Sequence, residues 1–253
     1  MNYIKFLGTA GARFVMIKQV RASAGIWFSI NETNFIVDPG PGTIVRINKT
    51  RPKLPLDKIN AIYLSHRHLD HSGDVNVMIE VMTEGGFKKR GILLCPEDAL
   101  KDDPVVFQYT RKFLDKIEIL KPNTRYKVNN IEIETGINQN HGCETYGFKI
   151  YSEKIPIIGY IPDTQYFSQI IDSYKNTDIL IISVVFYEKR DGILHLCLSE
   201  ALNIISAIRP KKAILTHFGT SMLKNKIWEK QEEIKEKTGV DVIAAYDGMI
   251  VNF

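Results

Sequence analysis

The chain has 253 residues, of which 44% are hydrophobic and 25% charged, and its formal net charge is +4. This length allows a full core, so one domain over residues 1–253 is the simplest interpretation. The modest charge falls short of the basic surface of a dedicated nucleic-acid-binding protein. Three cysteines, an odd number, do not suggest a disulfide framework, and we expect a reducing, cytoplasmic location. No apolar run approaches the length of a membrane span, so we expect a soluble protein without a membrane partner.

The first predicted elements are strands. Tyr3–Leu7 alternates apolar and polar residues, and a glycine-containing loop over residues 8–12 ends it. Ile26–Ile30 and Asn34–Val37 flank a short turn and predict a hairpin. The second of these strands ends at Asp38-Pro39-Gly40.

The densest group of chemically active side chains follows the next predicted strand, Ala61–Leu64. His66, His68, Asp70 and His71 place four potential metal ligands within six residues. Imidazole and carboxylate groups are ligands that zinc and similar divalent ions prefer, and four of them can serve two ions. A helix is predicted to begin at Val75. The segment is therefore a candidate metal site at the end of a strand.

The middle of the chain alternates again between predicted strands and helices. Tyr126–Glu134 is predicted as one strand, with a clean alternation at residues 131–134. Three aromatic residues could either pack in the core or form a wall of the substrate site: Phe107, Tyr109 and Phe113. Aromatic residues are common in protein cores, which favours the first alternative. Three isolated groups then follow predicted strands or strand pairs: His141, Asp163 and His217.

The C-terminal third contains two predicted helices. The first begins near Ser199, whose hydroxyl can cap it, and stops at Arg209-Pro210. The second is an amphipathic helix over residues 221–239, whose alternating lysines and glutamates indicate a solvated face. Strands at 240–245 and 249–253 end the chain.

The pattern His66-x-His68-x-Asp70-His71, with Val37-Asp38-Pro39-Gly40 before it and the three isolated groups after it, resembles the metallo-β-lactamase-fold superfamily of metal-dependent hydrolases. The ribonuclease Z-like and cyclic phosphodiesterase-like branch is most similar in motif pattern. The resemblance covers nearly the whole chain and implies a four-layer αββα sandwich of two mixed β-sheets flanked by helices. Periodicity alone predicts only α/β or α+β.

The resemblance also implies a set of ligands for two divalent ions, zinc first, with manganese or iron as alternatives. His66, His68 and His141 would hold one ion, Asp70, His71 and His217 the other, and Asp163 would bridge them. Asp70 is predicted to be a catalytic residue as well as a metal ligand. Two ions that share a water lower its pKa and generate a hydroxide nucleophile. Asp38 would not bind metal but would brace the histidine loop through hydrogen bonds.

His195 is the one histidine outside the ligand set. The resemblance implies that it stabilises charge on a phosphoryl group or protonates the leaving oxygen, and a structural histidine is the alternative. These features predict a hydrolase of small or cyclic phosphodiesters. A lactone or other carboxylic-ester hydrolase, a ribonuclease Z-like RNA endonuclease and a non-catalytic sensor remain open. Nucleic acid is disfavoured as a substrate because the chain between His141 and Asp163 is too short for a tRNA-gripping arm. A homo-oligomer is compatible with the sequence.

Overall fold

The computed structural model describes residues 2–11 and 13–253, so Ala12, the last residue of the predicted glycine loop, lies outside the described residues. The first of two seven-stranded sheets has the spatial order β14-β1-β2-β3-β4-β5-β6. Its strands are β1 (Tyr3–Phe6), β2 (Ile26–Ile30), β3 (Thr33–Val37), β4 (Ile59–Tyr63), β5 (Ile92–Cys95), β6 (Lys116–Ile119) and β14 (Ile250–Asn252). The predicted hairpin is confirmed, since β2 pairs antiparallel with β3.

The second sheet has the spatial order β13-β12-β11-β10-β9-β8-β7. Its strands are β7 (Arg125–Val128), β8 (Ile131–Asn138), β9 (Tyr146–Tyr151), β10 (Ile158–Ile161), β11 (Ile179–Ser183), β12 (Lys212–Thr216) and β13 (Asp241–Ala244). β10, β11, β12 and β13 run parallel, whereas β7, β8 and β9 pair antiparallel. Both sheets are mixed.

Helices cover the outer faces of the two sheets. They are α1 (Phe14–Ile17), α2 (Thr43–Lys49), α3 (Leu69–Ser72), α4 (Val75–Met82), α5 (Gln108–Arg111), α6 (Gln169–Ser173), α7 (Leu198–Ile208), α8 (Thr220–Lys224) and α9 (Gln231–Thr238). Single 3-10 turns lie at Leu56–Lys58, Glu97–Ala99 and Ile227–Glu229. Within residues 2–11 and 13–253, no helix combines the length and apolarity needed to cross a membrane.

The strands bury both faces, and alternation assigns each side chain to one layer of the sandwich. In β11, Ile179 and Ile181 point into the core between the sheets, whereas Leu180 and Ile182 pack in the cluster beneath the helices. The inner core joins the sheets through pairs such as Tyr63 and Phe148, whose ring centroids lie 4.7 Å apart. The predicted αββα sandwich is confirmed.

The strand directions explain where polar side chains gather. β3 and β4 are parallel, as are β10, β11 and β12. β8 and β10 are both antiparallel to β9 and therefore point the same way as each other. The carboxyl ends of parallel strands meet at one edge of a sheet, which is where ligands bind in open α/β sheets. Five of the predicted site segments follow these strands.

Two predicted elements are wrong in their bounds. The single strand predicted over Tyr126–Glu134 is a hairpin of β7 and β8, which turns at Asn129, a residue with φ of 48°. Asparagine tolerates this left-handed conformation, so the turn signal was present but weaker than the alternation around it. The helix predicted over 221–239 is divided into α8, a 3-10 turn and α9, because Lys226 has φ of 48°.

Two smaller predictions are also corrected. Cys197, not Ser199, is the N-cap of α7, and its backbone N–H donates to Glu200 Oε2 at 3.1 Å. Phe107 and Tyr109 are not core residues, because about half of each is exposed. Their rings stack on each other on the surface beside α5.

Candidate metal centre

The loops at the shared edge of the sheets bring metal-capable side chains together in three groups, of which the third, His141, Asp163 and His195, shares residues with the other two. His66, His68 and His141 form the first group. The second consists of four residues: Asp70, His71, Asp163 and His217. Within each group, the potential ligand atoms all lie within 4.8 Å of one another. The structure thus places in one cluster all seven residues that the motif resemblance nominated as ligands.

Asp163 lies at the centre of this cluster, directly after β10. Its Oδ2 is 3.2 Å from His217 Nε2 and 3.4 Å from His71 Nε2, both in the second group. The same oxygen is 3.8 Å from His141 Nε2 in the first group. One carboxylate oxygen therefore faces both groups, which is the geometry that a bridging ligand needs.

Close backbone approaches fix the loops that carry these side chains. A Cβ on Gly40 would lie 2.0 Å from the carbonyl oxygen of Asp70, and one on Gly11 would lie 2.1 Å from that of His217. Only glycine permits such contacts. Asp38 and His217 themselves have φ of 50° and 61°. Such left-handed non-glycine residues are costly and concentrate at functional sites.

Asp38 connects the two sheets beneath the cluster. Its Oδ1 accepts from the Ser65 backbone N–H at 2.6 Å, and its Oδ2 lies 2.7 Å from Ser65 Oγ. Oδ2 also accepts from the Tyr160 hydroxyl at 2.8 Å and lies 3.0 Å from His71 Nδ1. These contacts include both kinds of partner that the sequence interpretation named, a loop backbone and an imidazole. They turn His71 Nε2 toward the cluster.

Other histidines are oriented in the same manner. His141 Nδ1 lies 2.8 Å from the carbonyl oxygen of Leu194, so it donates its N–H there and presents Nε2 to the centre. His66 Nδ1 lies 3.0 Å from Ser65 Oγ, which leaves Nε2 facing inward. Outer contacts of this kind fix the ring direction of metal-binding histidines.

The inward-facing atoms fit a cation because their hydrogen-bonding capacity is unused. Six buried atoms of the cluster find no hydrogen-bond partner among the residues that the structure describes: His66 Nε2, Asp70 Oδ2, His71 Nε2, Asp163 Oδ1, His195 Nδ1 and His217 Nε2. An unsatisfied buried polar atom costs about 1–3 kcal/mol. Their convergence, and their nitrogen and oxygen chemistry, suit one or more divalent metal ions.

The charged side chains of the cluster shift one another's pKa values. Burial opposes charge on His71 and His217, but the carboxylates around them raise the pKa of His71 well above its usual range and that of His217 to about 9. Burial likewise opposes charge on Asp163, but His217, His195 and His71 hold its pKa well below the usual range. The carboxylates therefore attract positive charge into the cluster, as protons or as metal.

His195 lies in the loop between β11 and α7, at the outer side of the cluster. Its Nδ1 is 3.4 Å from Asp163 Oδ2, and its side chain is about 12% exposed. Burial lowers the pKa of His195 to about 4, so the ring is neutral near pH 7. His195, Asp70 and Asp163 line a cavity of about 600 Å³ that opens over the cluster. A ligand in this cavity would contact His195 and the two carboxylates together.

Three supporting groups were not found from the sequence: the Ser65 hydroxyl, the Tyr160 hydroxyl and the Leu194 carbonyl. Ser65 directly precedes the histidine motif, and this adjacency was a signal for its role. Tyr160 lies on β10 and meets Asp38 across 122 residues, a contact that no local pattern reveals. The Cys143 Sγ atom is 4.0 Å from His68 Nε2, and this cysteine is partly exposed.

The two-sheet sandwich is the metallo-β-lactamase fold, and the chemistry of its His/Asp cluster suits divalent metal ions. The sequence profile of the family described as "Beta-lactamase superfamily domain" matches residues 33–218, and the chain belongs to this superfamily. It is 32% identical to the uncharacterized protein MJ1374 of Methanocaldococcus jannaschii, over 98% of this chain and 94% of that protein. It is 23% identical to a ribonuclease Z of Borrelia garinii subsp. bavariensis, over 97% and 95% respectively.

Solved structures show the same fold at low identity. The metallo-β-lactamase fold protein YhfI from Bacillus subtilis superposes with a TM-score of 0.78 at 20% identity and covers 99% of this chain and 98% of its own. A diphosphatase from the PhnP family superposes with a TM-score of 0.74 at 16% identity, over 100% and 98%. The motif-based prediction of a metal-dependent hydrolase fold of the ribonuclease Z-like branch is confirmed.

Proposed function

We propose that this chain is a dinuclear metal-dependent phosphodiesterase acting on small or cyclic phosphodiesters. The observation that carries the proposal is the position of His195, 3.4 Å from Asp163 and on the wall of the cavity over the cluster. The proposed ligands of the first ion are His66, His68 and His141. Those of the second are Asp70, His71 and His217, and Asp163 reaches both.

The proposed chemistry divides the work between cofactor and chain. When bound, two divalent ions lower the pKa of a shared water and neutralise charge on substrate oxygens. His195 donates its neutral N–H to a phosphoryl oxygen, where negative charge grows in the transition state. Asp38, held by Ser65 and Tyr160, keeps His71 in its orientation. Zinc is the proposed metal because five of the seven ligands are imidazoles.

RNA is the second candidate substrate, because four relatives are named ribonuclease Z. One feature favours a small substrate instead. The segment between His141 and Asp163 consists of β9, β10 and short connections, which leaves no length for an arm that grips RNA. The structural neighbours do not separate the two candidates, because they include both a diphosphatase from the PhnP family and the short form of human tRNase Z.

The proposal is tested on protein loaded with zinc, manganese or iron, with metal content measured by elemental analysis. We expect two ions per chain and turnover of bis(p-nitrophenyl) phosphate or of cyclic nucleotides. Lactone turnover without phosphodiester turnover would assign the carboxylic-ester alternative, and cleavage of precursor tRNA alone would assign the ribonuclease alternative. A fully loaded centre that hydrolyses none of these compounds would indicate a sensor.

Removal of the Tyr160 hydroxyl is expected to weaken metal binding. Tyr160→Phe takes away one of the hydrogen bonds that hold Asp38 Oδ2 against His71. Loss of such an outer contact costs about 10–100-fold in metal affinity. Competition against a chromophoric chelator measures this change.

The control is Tyr174→Phe. Tyr174 is also buried, and its hydroxyl donates to the Tyr160 carbonyl at 2.9 Å, without touching Asp38. This variant is expected to lose stability but to retain its metal affinity. Equal metal affinities for Tyr160→Phe and the unmodified protein would contradict the role given to Tyr160.

A further inference from the structure

The cavity over the metal centre has one wall that the proposed reaction does not explain. Besides the cluster residues, its lining includes four aliphatic side chains, Met16, Ile17, Leu69 and Val105. We call these four residues the aliphatic wall. They come from three separate segments of the chain, so their gathering on one side of one cavity is a tertiary feature.

Two members of the aliphatic wall are largely open to solvent. Ile17 is 68% exposed and Leu69 is 67% exposed. Leu69 stands between the ligand candidates His68 and Asp70, at a position where a polar residue would avoid this exposure. A contiguous exposed apolar surface usually marks a binding site.

The segment that carries Met16 and Ile17 is fixed at both ends. The Thr9 hydroxyl donates to Asp247 Oδ1 at 2.7 Å, and the Ala22 backbone N–H donates to Asp247 Oδ2 at 2.8 Å. The Ala10 backbone N–H also donates to the Ala22 carbonyl at 3.0 Å. Within the segment, Val15 is buried and fastens its middle. The aliphatic side chains are therefore held over the cavity by the fold.

Charge on the rim complements this apolar surface. Arg13 and Arg67 both line the cavity, and Arg67 donates to the Asp103 carbonyl oxygen at 2.6 Å, which fixes its position. The rim also carries the Asp103 carboxylate, 3.8 Å from the Arg67 guanidinium. A ligand in the cavity thus meets two guanidinium groups and one carboxylate at the rim, the metal-ligand candidates Asp70 and Asp163 at the floor and aliphatic groups on one side. The volume of about 600 Å³ is within the range of small-molecule sites.

We propose that the aliphatic wall binds an alkyl substituent of the substrate, which makes the preferred substrate an anionic phosphodiester with an aliphatic chain. This inference rests on the proposed phosphodiesterase function. An alkyl group fits this side of the cavity better than a nucleobase because, among the described residues, no Phe, Tyr or Trp side chain lines the cavity for a base to stack on. The exposed rings of Phe107 and Tyr109 lie outside this lining.

Binding is tested first, because it does not require turnover. Calorimetry on the metal-loaded protein compares dimethyl phosphate with dibutyl phosphate, neither of which carries an activated leaving group. We expect dibutyl phosphate to bind at least about tenfold more tightly, since each buried methylene is worth a several-fold gain. Equal dissociation constants for the two ligands would overturn the inference.

Variants then locate the effect. Ile17→Ser is expected to reduce the ratio of the two dissociation constants to below about twofold, because it removes the most exposed part of the aliphatic wall. Phe14→Ser is the matched control, since Phe14 lies on the same helix and is 67% exposed but does not line the cavity. A ratio that falls equally in both variants, or in neither, would contradict the assignment.

Turnover separates this inference from the proposed function. For butyl and methyl p-nitrophenyl phosphate, kcat/KM is expected to favour the butyl ester about tenfold and to lose that preference in Ile17→Ser. Tight binding of dibutyl phosphate without any phosphodiester turnover would overturn the reaction but leave the aliphatic wall. Phosphodiester turnover without a chain-length preference would support the proposed reaction but overturn the role of the aliphatic wall. If Ile17→Ser changes only the oligomeric state by light scattering, the surface is instead a contact between copies of the chain.

Discussion

Removal of bound metal by a chelator is expected to lower the midpoint of thermal unfolding by about 10 °C. A ligand present at about 1,000 times its Kd stabilises the folded state by about 4 kcal/mol. For a chain of this size, each kcal/mol shifts the midpoint by roughly 2–4 °C. The physical source is the set of buried nitrogen and oxygen atoms that have no hydrogen-bond partner among the described residues. Scanning calorimetry before and after chelation, and after metal is restored, measures the shift.

Two controls make this result specific. In Asp163→Ala the central carboxylate is absent, so chelation is expected to shift the midpoint little. In Lys237→Ala, which breaks an exposed ion pair with Glu233 far from the cluster, the full shift is expected. A protein that unfolds at the same temperature with and without measured metal would show that the cluster does not couple metal binding to stability.

The pH dependence of this shift has a definite sign. In the metal-free protein the pKa of His217 is raised to about 9 by Asp163 and Asp70, against the opposing effect of burial. Its unfolded value is about 6.5. A raised pKa contributes stability that is complete below pH 6.5 and is lost as the pH rises through about 9. After chelation, the midpoint temperature of unfolding should therefore decrease as the pH rises from 6.5 to 9. Metal should stabilise the protein more at the alkaline end of this range, where its ligands are deprotonated.

The strands and the histidine motif were accessible from the sequence because each rests on a local pattern. β11 reads as a continuous apolar run and β4 as a short one, and both are buried strands in the structure. The motif from His66 to His71 is compact because one loop and the short helix α3 hold it. His141, Asp163 and His217 follow strands, and only the family resemblance singled them out from other residues at strand ends.

The remaining features depend on contacts between distant segments. The Tyr160 hydroxyl reaches Asp38 across the two sheets, and Asp247 fastens the ends of the segment that carries Ile17. No periodicity encodes either contact. The charge pattern also did not reveal the break in the predicted C-terminal helix. The alternation of lysines and glutamates continues past Lys226, although the backbone leaves the helical conformation at that residue. The sequence therefore predicts the ligand candidates better than the groups that orient them or the wall beside them.

Substitution of His195 by alanine is expected to lower kcat for phosphodiesters by about 100- to 1,000-fold, without loss of metal. This is the usual cost of removing one hydrogen-bond donor that stabilises a developing negative charge. Because burial lowers the pKa of His195 to about 4, its neutral N–H is the form present near pH 7. His195→Gln, which keeps an N–H donor, is expected to recover part of the rate. Lys189→Ala, an exposed position in the same loop, should stay near the original rate.

The nature of the leaving group distinguishes the two roles that the sequence left open for His195. A charge stabiliser acts on the phosphoryl oxygen, so its loss should slow esters of acidic and of weakly acidic phenols by the same factor. A proton donor acts on the leaving oxygen, so its loss should slow esters of weakly acidic phenols far more. Since a ring with a pKa of about 4 is a poor reservoir of protons at pH 7, we expect parallel plots of rate against leaving-group pKa for His195→Ala and the original protein. A steeper plot for the variant would assign proton donation to His195. Undiminished turnover in the variant would show that His195 takes no part in the reaction, and the main support for a phosphodiester substrate would then be lost.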